Sequence, residues 1–427
     1  MRLLKWLYPG LRVKRYLFLA TCGVGLSMVG LGLLWGRKLL GFLEEQLYIY
    51  LKASAGTTAL YVTGALLLGL GLVVVGVAVK SVMRSILEII TPEQETELVD
   101  VLFRRRLLKS GPRVVAIGGG SGLSVLLRGI KHYTSNITAV VTVSDDGGSS
   151  GRLRGEMGIL PPGDIRNCVL ALADTEPLLE SLFQYRFKDG ELLGHSFGNL
   201  LIAAMTGVTG DFQLAIKEFS KVLAVRGRVL PVTAADVRLR AELEDGSVVE
   251  GETNVSLCGG QVRTLELVPS DAEALPEVLR AIAEADAILL GPGSLYTSVI
   301  PNLLVRGVGE ALAATKAPKI YICNVMTQPG ETEGFTASQH VSAIERFSSP
   351  RLIDCIVVNS ARVRAHLLSK YAAASSGPVT LDFPRLHQLG VRIATGDLLH
   401  QGDVVRHDPD KLARRVMQLI SSTKKLN

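Results

Sequence analysis

The chain has 427 residues, 48% of them hydrophobic but only 5% aromatic, a formal charge of +6 and five cysteines. That length leaves room for one large domain or two ordinary ones, with a sizeable core in either case. The charge is unevenly spread: residues 1–110 hold 14 Lys/Arg against 7 Asp/Glu, and the remainder 32 against 33. The surplus flanks apolar N-terminal segments, which argues against nucleic acid as a partner and for a cytoplasmic-side anchor. Cys22, Cys168, Cys258, Cys323 and Cys355 form no CxxC pair and have no His at metal-ligand spacing, so they read as small apolar residues of a reducing compartment.

Residues 16–35 carry no charge and follow Arg2, Lys5, Arg12, Lys14 and Arg15; residues 53–79 carry none and are closed by Lys80 and Arg84. Each run is long enough to cross a bilayer as a helix. The first exceeds a signal-peptide core and runs into Gly36-Arg37-Lys38 rather than a small-residue cleavage site. The Lys/Arg distribution places both ends in the cytoplasm. The expected organisation is a membrane region, 1–80, a charged helical linker, 81–112, and a cytosolic domain, 113–427, in a multi-pass protein of the cell membrane.

From Arg113 onward short apolar runs alternate with amphipathic stretches. Residues 114–117, 138–143, 288–290, 320–324 and 353–358 read as buried strands, and 123–133, 197–208, 211–225, 299–315 and 336–347 as helices. This alternation predicts a Rossmann-like, doubly wound, mostly parallel α/β sheet. One stretch breaks the rhythm. Residues 237–243, an Asp245-Gly246 turn and 248–251 form a hairpin pattern, with 261–267 as a further strand, so a small antiparallel insertion is expected. Asp408 as cap and Pro409 at the first helical position predict a closing helix to about residue 425.

The first strand leads into Gly118-Gly119-Gly120-Ser121-Gly122 and then a helix. Glycines there let the backbone approach a ligand closely, and the helix start offers free N–H groups to a phosphate; a tight βα turn needs glycine for packing as well. The run lacks the Lys-Ser/Thr pair of a P-loop. After the second strand, Ser144 to Arg154 concentrates acids, glycines, hydroxyls and guanidinium groups in what reads as a loop. Asp145 and Asp146 suit either a Mg²⁺ ion held through water or the donors of a ribose or base, and Arg152 or Arg154 suits a phosphate. The loop continues to Gly163-Asp164-Ile165-Arg166-Asn167, where Asp164 is placed to cap a helix and Arg166 and Asn167 to point into the same cleft. His195-Ser196-Phe197-Gly198-Asn199 opens another helix, with His195 as a cap or an acid–base group and Asn199 as an amide donor. A second glycine–hydroxyl turn, Gly291-Pro292-Gly293-Ser294, follows the strand at 288–290, and Asn324 begins a further strand-end loop. Two such turns in one sheet favour a diphosphate more than either does alone. No Ser/His/Asp triad is legible, and no catalytic residue is assigned.

Together, residues 117–122, 145–154, 163–167, 195–199, 291–298 and 324–332 resemble, in order, the motifs of the YvcK-type gluconeogenesis-factor branch of the CofD-like family, over about residues 113–425. The resemblance implies a Rossmann-like core whose cytosolic cleft binds a UDP-sugar such as UDP-N-acetylglucosamine, and a role in cell shape and in growth on gluconeogenic carbon sources. Carried over to this sequence, it implies that Gly119, Gly120 and Ser121 face phosphate, Asp145 and Asp146 the nucleoside or a metal, and Asn199 the diphosphate. Arg152, Gly293, Ser294 and Asn324 are further candidates. The related CofD transferases move a phospholactyl-type group from a guanylyl donor to a deazaflavin precursor with Mg²⁺, and this sequence departs from them between Gly147 and Arg154.

Three readings compete: a nucleotide-sugar-binding regulator without turnover, a CofD-like transferase, and an NAD-dependent oxidoreductase. The last is disfavoured, because Leu123 stands where the dinucleotide fingerprint has its final Gly or Ala. A homo-oligomer and a Mg²⁺ requirement are both compatible with the sequence.

Overall fold

In the computed structural model the described residues are 13–35, 42–90, 106–174 and 177–424, and the chain divides into two units, residues 1–104 and 105–427. The first unit holds two helices, Val13–Trp35 and Phe42–Ile90. Within them Arg15–Leu34 and Thr57–Val82 are long and apolar enough to cross a membrane. They overlap the two uncharged runs. Small residues line their mutual face: Gly30 meets Gly64, and Gly71 meets Ser27. Close backbone approach of this kind is how helices associate where lipid leaves no hydrophobic drive between them. The second helix continues through residues 81–90, the start of the expected linker; residues 91–105 lie outside the described set.

In the second unit, strands β1 (Val114–Gly118), β2 (Ile137–Val141) and β3 (Arg228–Pro231) precede an antiparallel insertion of β4 (Arg238–Leu243), β5 (Val248–Glu250) and β6 (Val262–Val268). The main sheet resumes with β7 (Ala287–Leu290), β8 (Lys319–Ile322), β9 (Cys355–Asn359) and β10 (Arg392–Gly396). A ribbon of β11 (Leu399–Gln401) and β12 (Val405–His407) then leads to the last helix, Pro409–Lys424. Asp408 caps that helix as expected, its Oδ1 accepting the Asp410 and Lys411 N–H groups at 3.0 Å.

The main strands are all parallel, in the order β10-β9-β8-β7-β1-β2-β3, with Ala116 opposite Ala139 on one side and Leu289 on the other. Every residue of β1, β2 and β7 is buried, and their runs of Val, Ile and Leu suit strands covered by helices on both faces. The architecture is the doubly wound α/β sheet with a small antiparallel insertion. Strand order reverses between β1 and β7: the chain winds outward through β2 and β3, then returns to β7 and winds the other way. Such a switch point leaves a crevice at the carboxyl ends of the two strands.

Three local features differ from expectation. Strands β3 and β10, at the two edges of the sheet, have no continuous apolar run because part of each is exposed, Arg228 and Arg392 included. The helix expected over 299–315 is instead a π-turn, Leu295–Val299, followed by the helices Ile300–Leu304 and Val308–Ala314, interrupted where Gly307 takes a left-handed φ of 91°. The loop expected over 144–154 contains the start of a helix, Gly148–Met157. Its glycines are poor helix formers, but Ser149, Ser150, Leu153 and Arg154 are buried, and tertiary packing overrides propensity.

Candidate functional site

A cavity of about 400 Å³ occupies the crevice between β1 and β7. On the β1 side Gly119 is extended and Gly120 takes a left-handed φ of 65°, which turns the chain sharply into the helix Gly120–Ile130. A Cβ on Gly119 would lie 2.6 Å from Asp164 Oδ2 and 2.8 Å from the Thr142 methyl carbon, so no larger residue fits. The Gly119 position supplies no side-chain cap to this helix, whose first N–H groups and positive end are directed at the cavity.

The structure corrects the expected role of Asp164. Its own helix, Gly163–Leu172, is entered through Pro162, which leaves Asp164 inside the first turn and without a capping bond there. Its carboxylate instead reaches across to the Gly120 N–H. The start of the Gly120–Ile130 helix is therefore held by an acid supplied by a different segment.

On the β7 side, Asn324 brackets Gly293: its Oδ1 accepts the Gly293 N–H at 3.2 Å and its Nδ2 donates to the Gly293 carbonyl at 2.9 Å. Gln328 Nε2 donates to Ser294 Oγ at 2.7 Å. Behind this turn Glu331, only 6% exposed, accepts from Thr297 Oγ1 at 3.0 Å and from the Tyr296 N–H at 3.2 Å. Asn302 joins the two sides, donating through Nδ2 to the Gly118 carbonyl at 3.1 Å and the Ser298 carbonyl at 2.8 Å.

Of the residues singled out from sequence, Gly119, Gly120, Ser121, Gly122, Asp145, Asp164, Gly293, Ser294 and Asn324 line this one cavity. The others lie beside it with partners of their own. Gly118 is within β1. Asp146 Oδ1 accepts from the Thr253 N–H at 3.0 Å and Thr253 Oγ1 at 2.7 Å, which ties the insertion to the crevice edge. Arg152 donates to the Leu193 carbonyl at 2.6 Å. Arg166, His195 and Asn199 join Ser149 and Ser196 in a buried network: Ser149 Oγ lies 3.1 Å from both His195 Nδ1 and Asn199 Nδ2, and Arg166 donates to Asn199 Oδ1 at 2.7 Å, to Asn167 Oδ1 at 2.9 Å and to Ser196 Oγ.

Sequence reasoning missed Glu252, from the short helix that follows β5, and Arg406 and His407, from β12. Burial pushes His407 down to about 4, so its ring is neutral, and its Nε2 has no hydrogen-bond partner among the described residues. Acids dominate the remaining charge. Burial, and then the Asp145 charge, raise Asp164 to about 7; burial, and then Asp145, Asp164 and other acids, raise Glu252 to about 8. Burial raises Asp145 as well. Among the described residues no three His, Cys, Asp or Glu side chains are grouped to hold a metal ion. Asp145 and Asp164 do supply the one or two carboxylates that Mg²⁺ takes when phosphate oxygens and water complete its shell.

The protonation of these acids has a consequence for stability. Because Asp164 and Glu252 titrate higher in the folded protein than in the unfolded chain, their contribution is complete below about pH 4 and is lost as pH rises through 7 to 8. Glu252→Gln should therefore flatten the loss of thermal stability between mildly acidic and alkaline pH in the detergent-solubilised chain. Parallel pH profiles for variant and wild type would contradict the assigned shift.

Residues 114–399 match the family model of 2-phospho-L-lactate transferase CofD. A protein of Nostoc sp. (strain PCC 7120) is 49% identical over 97% of this chain and 92% of its own length. The gluconeogenesis factor of Bacillus subtilis (strain 168) is 51% identical over 72% of this chain and 98% of its own length. A crystal structure of a UPF0052-family protein from Bacillus halodurans superposes with a TM-score of 0.70 at 49% identity, covering 72% of this chain and 99% of that one. The chain belongs to the CofD family, among its gluconeogenesis-factor members.

Proposed function

We propose that the β1/β7 crevice binds a nucleotide sugar of the UDP-N-acetylglucosamine type, and that the protein is a membrane-anchored regulator supporting cell shape and envelope growth under gluconeogenic conditions. The observation that carries the proposal is the convergence of two glycine–hydroxyl turns, Gly119–Gly122 and Gly293–Ser294, on one cavity at the strand-order switch point. Backbone N–H groups at such turns suit a diphosphate, and a few charge-assisted bonds of about 1.5 to 3 kcal/mol each are ample for micromolar affinity. The neutral ring of His407, the amides of Asn324 and Gln328 and the Arg406 guanidinium offer donors to a base or sugar. The relatives' names support the gluconeogenic setting, and the two apolar helices support the anchor.

A transferase is the second reading, favoured by the family model's description and by Asp164 and Glu252, whose values near neutrality suit proton transfer. Against it, among the described residues no cavity-lining hydroxyl is paired with a histidine: the Ser149–His195 contact lies in the buried network beside the crevice, and Thr297 donates to Glu331, which sits behind the turn.

Gly120→Val should weaken UDP-N-acetylglucosamine binding by calorimetry at least tenfold, roughly 1.4 kcal/mol or more, while the fold is retained by circular dichroism. The wild-type chain with Mg²⁺ should return the nucleotide sugar unchanged; release of UDP that Asp164→Asn abolishes would establish the transferase instead. For the anchor, the Lys/Arg distribution predicts that a cysteine placed at Glu45 reacts with an impermeant reagent outside the cell and one at Lys109 does not. The reverse pattern would overturn the topology.

A further inference from the structure

The second unit has two unlike ends. The crevice lies at the carboxyl ends of the strands, and the chain enters at their amino ends, where the Ser135 N–H donates to the Leu108 carbonyl at 2.9 Å and Asn136 Nδ2 to the Lys109 carbonyl at 2.8 Å. No Asp or Glu occurs between Asp100 and Asp145, whereas Arg104, Arg105, Arg106, Lys109, Arg113, Arg128 and Lys131 all do. The helix Gly120–Ile130 carries Arg128 in its last turn, with Lys131 just beyond, and Lys131 Nζ donates to the Ala173 carbonyl at 2.6 Å, so these cations share the entry end. Of the nearby acids, Asp174 pairs with Arg226, Glu180 with Arg128 and Asp286 with Arg113, while Glu284 lines the same end without an ion pair among the described residues.

The same end exposes apolar side chains. Leu178 begins the helix Pro177–Gln184 just after that Ala173 contact and is 80% exposed. Leu107, beside Arg106 in the entering segment, is 57% exposed. Val222, 72% exposed, ends the helix Phe212–Val222, four residues before Arg226, whose N–H bonds the Leu172 carbonyl. The helices Phe197–Thr209 and Phe212–Val222, bent by 120° at their junction, are together apolar enough to pass as a span by composition.

We infer that this end of the second unit rests on the anionic headgroup surface of the bilayer, with the crevice facing the cytosol. The inference builds on the membrane anchoring proposed above. Exposed apolar residues beside cations are what an interfacial lipid surface selects, and each Lys or Arg near anionic lipid adds to the attraction. A lipid surface is favoured over a second copy of the chain because the cationic segment lies on the same chain as the apolar helices, past the acids Glu88, Glu93, Glu95, Glu97 and Asp100, which makes docking an intramolecular event with high effective concentration. A second copy would meet like charge on its own equivalent face.

The test uses the full chain, with Cys22 and Cys258 replaced by alanine, reconstituted into mixed phosphatidylglycerol and phosphatidylcholine vesicles. A fluorophore is attached at Val222→Cys or, near the crevice, at Leu257→Cys, and spin-labelled lipids serve as quenchers. Quenching at position 222 should exceed that at 257 by roughly twofold or more, and Arg106→Glu with Lys109→Glu should weaken docking roughly tenfold. Equal quenching at both positions in vesicles that retain the protein on flotation would overturn the docking while leaving the anchor intact. Failure of the protein to float with vesicles would overturn both. Energy transfer between copies labelled at 222, without lipid quenching, would assign the face to a dimer and overturn the inference.

Discussion

Reversal of strand order between β1 and β7 is the constraint on which the rest of the second unit depends. It opens a crevice at the carboxyl ends of those two strands, so the turns that follow them face a common space. Each turn is then fixed by groups from elsewhere. Asp164 holds the β1 turn through Gly120, Asn324 holds the β7 turn through Gly293, and Asn302 bonds to both sides. The price of this arrangement is a concentration of acids: Asp145, Asp164 and Glu252 share one cavity, where Asp145 raises the proton affinity of Asp164 and both raise that of Glu252.

That acidity bears on how an anion would enter. A phosphate arriving at the start of the Gly120–Ile130 helix meets the Asp164 carboxylate already bonded to the Gly120 N–H. Near neutral pH part of that carboxyl population is protonated, which removes the like-charge cost, and a divalent cation shared between acid and phosphate would remove it by another route. The crevice is thus suited to a ligand whose charge is managed by protons or cations as much as by basic side chains; among the described residues, Arg406 is the lone Lys or Arg in its lining.

Much of this was legible in the sequence, because the features concerned are local. Glycine–hydroxyl runs after apolar strands mark strand-end turns, and Gly119 to Gly122, Gly293 and Ser294 line the cavity. The central strands were readable as runs of Val, Ile and Leu. What escaped is tertiary in origin. Glu252 enters from the antiparallel insertion and His407 from a two-stranded ribbon, and neither position carries a local pattern. The acidic, hydroxyl-rich stretch around Ser149 looks like a ligand loop by composition, yet folding turns it into a helix whose polar groups satisfy His195 and Asn199. Edge strands β3 and β10, half in solvent, lose the apolar continuity that identifies their neighbours.

The Bacillus subtilis relative is matched over 98% of its length by 72% of this chain, so the fold of the second unit stands as a complete protein there. The central claim is that both strand-end turns donate to a single ligand. Hydrogen–deuterium exchange of the full chain with and without UDP-N-acetylglucosamine tests it most directly. The account predicts slowed exchange at residues 119–122 and 293–298 together, saturating at one ligand concentration. Protection of only one turn, or protection confined to the buried network at 195–199, would contradict it.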